Sequence, residues 1–360
     1  MNFISFRCLL VVLAASPLSG LRDARAWDYE GHRLVNQLAL ASLPTNFPAF
    51  VFTPAARERI AFLSGEPDRW RNTPDLALKH CNGPDHYLDI EDLAPMGLKP
   101  SNVSPLRYVF TAQLALARQR NPGAFAPFDA SKDSDQTKSL PGFLPWTITE
   151  YAGKLKSAFS YLRELEQAGT AEEIANAQAN IIYLMGVMGH FVGDGSQPLH
   201  TTRHYNGWVG DNPNRYTTTN KFHSWIDGGY LNKVGLNPRE LFAKVRPARL
   251  LTSPDVGGSS TNLFPVVIEY LQESFRQVEP VYRLERDGKL SDRQPASPEG
   301  YQFLTDRLLV AGQMLGDLWL TARRHAPPDN FLRGQLTLRK LSAESPVKGS
   351  FAPEGSPKAD

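Results

Sequence analysis

The stretch Gly189-His190-Phe191-Val192-Gly193-Asp194-Gly195-Ser196-Gln197-Pro198-Leu199-His200 constrains the fold more than any other part of the chain. It closes a long apolar helical run, in which Ile174, Ile181, Met185, Met188 and Val192 form one stripe, and then turns sharply at Gly195 and Pro198. His190 and Asp194 are four residues apart, so on a helix their side chains lie one turn apart on the same face. His200 follows just past the proline, and His223-Ser224-Trp225-Ile226-Asp227 repeats the His-x-x-x-Asp spacing. Such groups are costly to leave unpartnered in an apolar setting. Imidazole nitrogen with carboxylate oxygen is a donor set that zinc and similar divalent ions favour. The segment is therefore expected to hold metal, although either pair alone could be a plain helix-surface contact.

Helical periodicity recurs along the chain, and neither an internal repeat nor a run of alternating strand residues interrupts it. After His32, the residues Val35, Leu38, Ala39 and Leu43 keep helical spacing until Pro44. Further helical runs are expected at residues 54–63, 107–118, 147–167, 171–192, 263–284 and 298–324. The expected fold is all-α: a single multi-helix domain over residues 27–326 with long irregular surface loops. Residues 93–145, rich in Pro, Ser and Gly, read as an irregular excursion forming one wall of a cleft. Residues 201–222 read as a polar loop, and residues 327–360 as a disordered or loosely attached tail.

Residues 1–26 have the parts of a signal peptide: Arg7, an apolar run from Cys8 to Ala15, and an Ala24-Arg25-Ala26 cleavage signal. A secreted or periplasmic location follows as an expectation. The apolar run is too short for a stable membrane span, so no transmembrane segment is expected. Cleavage after Ala26 would leave Cys81 as the sole cysteine, which excludes a disulfide within the mature chain. The formal charge of +2 also disappears with the leader, because Arg7, Arg22 and Arg25 outnumber Asp23 there. A neutral chain argues against holding duplex DNA by bulk electrostatics, but not against a pocket whose own cations attract phosphate. No stable protein partner is implied.

Three more clusters precede residue 93: Trp27-Asp28-Tyr29-Glu30-Gly31-His32, Glu66-Pro67-Asp68-Arg69-Trp70-Arg71 and Asp85-His86-Tyr87-Leu88-Asp89. Taken singly, His32 reads as structural, Asp68 as a helix cap and His86 with Asp89 as a solvated pair. Their order is more informative. Trp-x-x-x-Gly-His, Pro-Asp-x-x-Arg, His-x-x-Asp, His-x-x-x-Asp-x-x-Gln-Pro-x-His and His-x-x-x-Asp follow one another, and five of the eight histidines fall in these motifs. The series resembles the zinc-dependent phospholipase C and single-strand-specific nuclease superfamily, most of all its S-one/P-one nuclease type. The resemblance runs from Trp27 to about Trp319 and includes Ala311-Gly312-x-x-Leu315.

That resemblance implies a trinuclear zinc cleft. One ion would be held by Asp68, His86, His190 and Asp194. A second would share Asp194 and take His32 with the α-amino nitrogen and carbonyl oxygen of Trp27. The third would sit on His200, His223 and Asp227. Asp89 would orient or deprotonate a water, and Arg71 would clamp phosphate, unless it forms a plain salt bridge. Tyr87 could stack on a base or simply pack. The implied activity is that of an exported phosphodiesterase (an endonuclease) cutting single-stranded DNA or RNA, with 3′-nucleotidase action on nucleotides. The alternative is a phospholipase C acting on phospholipid headgroups, and a non-catalytic metal-binding protein is the option from another class. Two departures bear on substrate. Residues 204–212 are richer in aromatics and poorer in glycine than the nuclease pattern, and Gly228 stands where an Asn is expected.

Overall fold

The computed structural model describes residues 27–125, 131, 133–252 and 262–344. The described residues contain helices and turns and no strand, as the periodicity predicts. In order the helices are α1 (Tyr29–Ser42), α2 (Pro54–Leu63), α3 (Glu66–Arg71), α4 (Leu76–Asn82), α5 (Arg107–Arg120), α6 (Leu144–Ala168) and α7 (Ala171–Ser196). There follow α8 (Phe222–Ser224), a π-helical turn Trp225–Tyr230, α9 (Leu231–Val234), α10 (Pro238–Lys244), α11 (Phe264–Phe275), α12 (Val278–Arg286), α13 (Pro298–Arg324) and α14 (Asn330–Glu344). Side-chain caps mark several starts. Asp28, Thr53, Asp75, Thr170, Asn237 and Ser297 each accept a backbone N–H, and Thr170 with Glu173 completes a capping box at α7.

α7 is the central element, packed against α1, α2, α6, α11 and α13. Its expected stripe is confirmed at Ile181, Met185, Met188 and Val192, all fully buried, with Ile174 packed at the edge of the core. Each such side chain contributes about 1.5–3 kcal/mol through burial. One polar group joins three of these helices. The Asn36 amide donates to the Ile60 carbonyl at 2.8 Å and to the Gly186 carbonyl at 3.0 Å, linking α1 to α2 and α7. This contact leaves no room on α7, where a Cβ at Gly189 would lie 1.6 Å from the Asn36 oxygen.

Two segments differ from expectation. The single run predicted over 263–284 is two helices, because Pro280 lacks the N–H needed in a helix interior and is tolerated only in the first turn of α12. Within residues 327–360, expected to be a loose tail, α14 is docked. Leu332 and Leu336 are buried, and Arg333 makes paired hydrogen bonds of 2.8 Å to Glu164 on α6. Arg339 pairs with Glu173 in the same way, at 2.8 and 3.0 Å. The expected leader 1–26 and residues 345–360 lie outside the described residues. Among the described residues no helix is long and apolar enough to cross a membrane.

Candidate metal centre

The last turns of α7 present His190 and Asp194, both fully buried. Gly193 faces α1 so closely that a Cβ there would lie 2.7 Å from His32 Nδ1. The absent side chain lets His32 approach, placing its Nε2 at 3.5 Å from Asp194 Oδ1 and its ring 3.9 Å from that of His190. The other carboxylate oxygen faces a different pair. Asp194 Oδ2 lies 3.0 Å from His86 Nδ1 and 3.4 Å from His190 Nε2, and those two nitrogens are 3.0 Å apart. Asp68 Oδ1 approaches His190 Nε2 at 3.9 Å.

A second convergence lies beside it. His223 Nε2 is 2.9 Å from both His200 Nε2 and Asp227 Oδ2. Partners behind the rings fix these orientations. His190 Nδ1 faces the Ser64 carbonyl at 2.7 Å and His200 Nδ1 faces the His86 carbonyl at 2.6 Å, so with Nδ1 protonated both Nε2 lone pairs point inward. The Gln197 amide nitrogen donates to Asp227 Oδ1, while its oxygen accepts from the Leu199 N–H at 2.7 Å. That is the physical role of the Gln-Pro-x-His motif, which the sequence reading left unexplained. Backbone bonds from Leu88 to His200 (2.9 Å) and from Ile90 to Thr201 (3.1 Å) tie the His86 loop to the same segment.

The structure thus groups His32, Asp68 and His190; His86, His190 and Asp194; and His200, His223 and Asp227. The third group is the expected one. The first two divide the expected ligands differently, with Asp68 grouped with His32 and His190 instead of with His86. Two ligands ~2.0–2.1 Å from a tetrahedral ion stand about 3.3 Å apart; the separations around Asp194 and Asp227, 2.9 to 3.5 Å, bracket that value, while Asp68 stands farther from His190, at 3.9 Å. His32 Nε2, Asp194 Oδ1 and Asp227 Oδ2 are buried without hydrogen-bond partners, an arrangement a cation would relieve. The donor set fits zinc.

Electrostatics agree. Burial pushes His32, His86 and His190 well below the ordinary histidine range and His200 and His223 down to about 3, so all five offer neutral lone pairs near pH 7. Burial also drives Asp194 well above the carboxylate range and Asp227 up to about 8, so an ion must displace protons from this site.

A cleft of about 410 Å³ opens onto His200 and His223, walled by Arg71, Tyr87, Asp89, Lys138 and Tyr205. Arg71 forms an ion pair, its Nε 2.8 Å from Asp68 Oδ1, and it also lines the cleft. Asp89 is raised well above the usual carboxylate range, first by burial and then by Asp92 and Glu91. The Tyr87 hydroxyl is turned toward the Thr137 and Leu140 carbonyls at 3.4 and 3.3 Å, so the ring forms a fixed wall. Tyr205, half exposed and edge-on to His223 at 5.9 Å, and Lys138 escaped the sequence reading. Tyr205 could have been flagged by its place in the aromatic segment after His200.

Trp27 is fully buried, its indole N–H donating to the Gly193 carbonyl at 3.0 Å, and Asp28 N–H donates to the Asp227 carbonyl at 3.1 Å. Gly228 has a local reason too. The Asp28 carboxylate would stand 3.0 Å from a Cβ there.

No family model and no curated protein matches the chain. Among solved structures, alpha-toxin of Clostridium perfringens from an avian strain is similar, at 13% identity and a TM-score of 0.33 over 82% of this chain. The chain spans 64% of that structure's length. At that level of similarity, the side chains of this chain decide its chemistry.

Proposed function

We propose that the chain is a zinc-dependent hydrolase of phosphodiester bonds, acting on single-stranded nucleic acid. The observation that carries this reading is the convergence of three His/Asp groups around Asp194 and Asp227, beneath a cleft walled by Arg71 and Asp89. The two oxygens of Asp194 would be divided between an ion at His32 and an ion at His86 and His190, with Asp68 beside His190, the main chain of Trp27 beside His32, and His200, His223 and Asp227 around a third ion. When bound, zinc supplies Lewis-acid charge for a phosphate and a water that is acidic near neutral pH. Arg71 binds and orients the phosphate from the cleft wall. Asp89, once ionised beside the bound cations, accepts the proton of the attacking water on its carboxylate. Tyr87 and Tyr205 confine the substrate, and Tyr205 offers the freer ring face for a base.

A specific observation favours phospholipid headgroups as the second reading. Leu106, Tyr108 and Val109 are exposed at 63%, 86% and 44%. Arg107 among them holds Asp85, the neighbour of His86, at 2.6 Å. An apolar patch tied to the ligand loop suits a lipid surface. Zinc-loaded protein assayed on single-stranded DNA, duplex DNA, a 3′-mononucleotide and phosphatidylcholine vesicles decides between them. Single-strand cleavage well above duplex cleavage supports the nuclease. Phosphatidylcholine turnover without nuclease action transfers the proposal to the lipid, and inactivity on all four rejects the hydrolase.

Export after cleavage at Ala26 belongs to the same proposal. The free α-amine of Trp27 exists only after the cut, because an amide nitrogen has no comparable lone pair. Protein beginning Met-Trp27, with the methionine confirmed by mass spectrometry, is expected to hold less zinc than protein beginning at Trp27. Equal zinc in the two would remove the amine from the ligand set.

A further inference from the structure

A second cavity, of about 270 Å³, lies where α1, the end of α10 and α13 meet, and it shares no lining residue with the metal cleft. Leu38 and Leu309 supply apolar lining, and Lys244, Arg246 and Arg307 supply three cations against the single carboxylate of Asp306. Its volume is below the ~300–1,000 Å³ typical of drug-sized ligands, which suits a small anion.

The nearby carboxylates do not serve Arg307. Asp306 Oδ1 accepts from the Gln302 amide at 2.6 Å, and Glu273 is paired with Arg276. Among the described residues the Arg307 guanidinium forms no hydrogen bond or ion pair, although it is part-buried. Burial correspondingly lowers its pKa from the ordinary arginine value, with Tyr270, Asp306 and Glu273 only partly offsetting that effect. A guanidinium keeps its charge in such a place, and its planar fork matches two oxygens of a phosphate.

We infer that this cavity is a binding site for a small tetrahedral oxyanion, orthophosphate or the phosphate of a monoester, held by Arg307 with Lys244 and Arg246 at its rim. The inference does not depend on the hydrolase proposal, since it draws on no residue of the metal cleft.

The test is equilibrium dialysis of zinc-loaded protein against labelled orthophosphate, with methyl phosphate titrated alongside to separate the two sources. Phosphate bound in the metal cleft is identified by its loss in Arg71→Met. A remaining class of sites is expected to weaken at least tenfold in Arg307→Met, with hydrolytic activity unchanged. Lys244→Met combined with Arg246→Met, both at exposed positions, is expected to weaken the same class and keeps the test open if Arg307→Met fails to fold. Selenate soaked into crystals is expected to give an anomalous peak beside Arg307. Wild-type phosphate binding in these variants, or a selenate peak in the metal cleft alone, would overturn the inference.

Discussion

The two His-x-x-x-Asp pairs share a spacing and differ in what stands behind the carboxylate. His190 and Asp194 lie on the regular helix α7, and both oxygens of Asp194 face histidines, His32 on one side and His86 with His190 on the other. His223 and Asp227 straddle α8 and a π-helical turn, where Gln197 occupies Oδ1 and leaves only Oδ2 for the cluster. Spacing decides which residues meet. The partner behind a carboxylate decides how many of its oxygens stay open to an ion: both for Asp194 and one for Asp227.

The largest expected effect breaks this asymmetry directly. Asp194→Asn should lose about two zinc ions per chain and Asp227→Asn about one, with the former also the less active, as measured by elemental analysis and initial rates. Equal losses in the two variants would contradict the comparison. Next in size is Gln197→Leu, which frees Asp227 Oδ1. It should weaken one ion by ~10–100-fold, read by competition with a chelator, and leave the Asp194 ions unchanged.

A smaller effect is expected from pH. Asp227 is raised to about 8 by burial, so in the ion-free cluster it carries a proton at pH 7 and releases it when a cation binds. Zinc affinity of this cluster should therefore rise as pH increases toward about 8 and level off above it. Calorimetry in buffers of different ionisation enthalpy checks the proton release. The smallest effect concerns the cleft wall. Tyr205→Ala should weaken single-strand binding by ~1–3 kcal/mol if that ring stacks on a base. Tyr87→Phe, which removes only the hydroxyl tie to Thr137 and Leu140, should change binding less.

The all-α fold was legible because apolar periodicity and caps coincide, as in α7, where Thr170 and Glu173 open the helix and the stripe through Val192 is buried. The residues of the centre were legible by type and order, since a helix fixes where positions i and i+4 point. Their partition was not. Asp68, His32 and His190 meet through tertiary packing across three helices, which local spacing does not encode. Gln197 was hidden for the same reason, as its partner lies 30 positions away. The docking of α14 was hidden likewise: residues 327–360 show little apolar pattern, and Arg333 and Arg339 pair with Glu164 and Glu173, far off in sequence.

The central claim is that Asp194 is a shared ligand between two ions while a third sits apart at Asp227. Anomalous diffraction at the zinc edge, on crystals of the mature protein grown with zinc, tests it most directly. Three peaks are expected, two flanking the Asp194 carboxylate and one enclosed by His200, His223 and Asp227. A single peak beside Asp194, or none there with the cleft otherwise ordered, would contradict it.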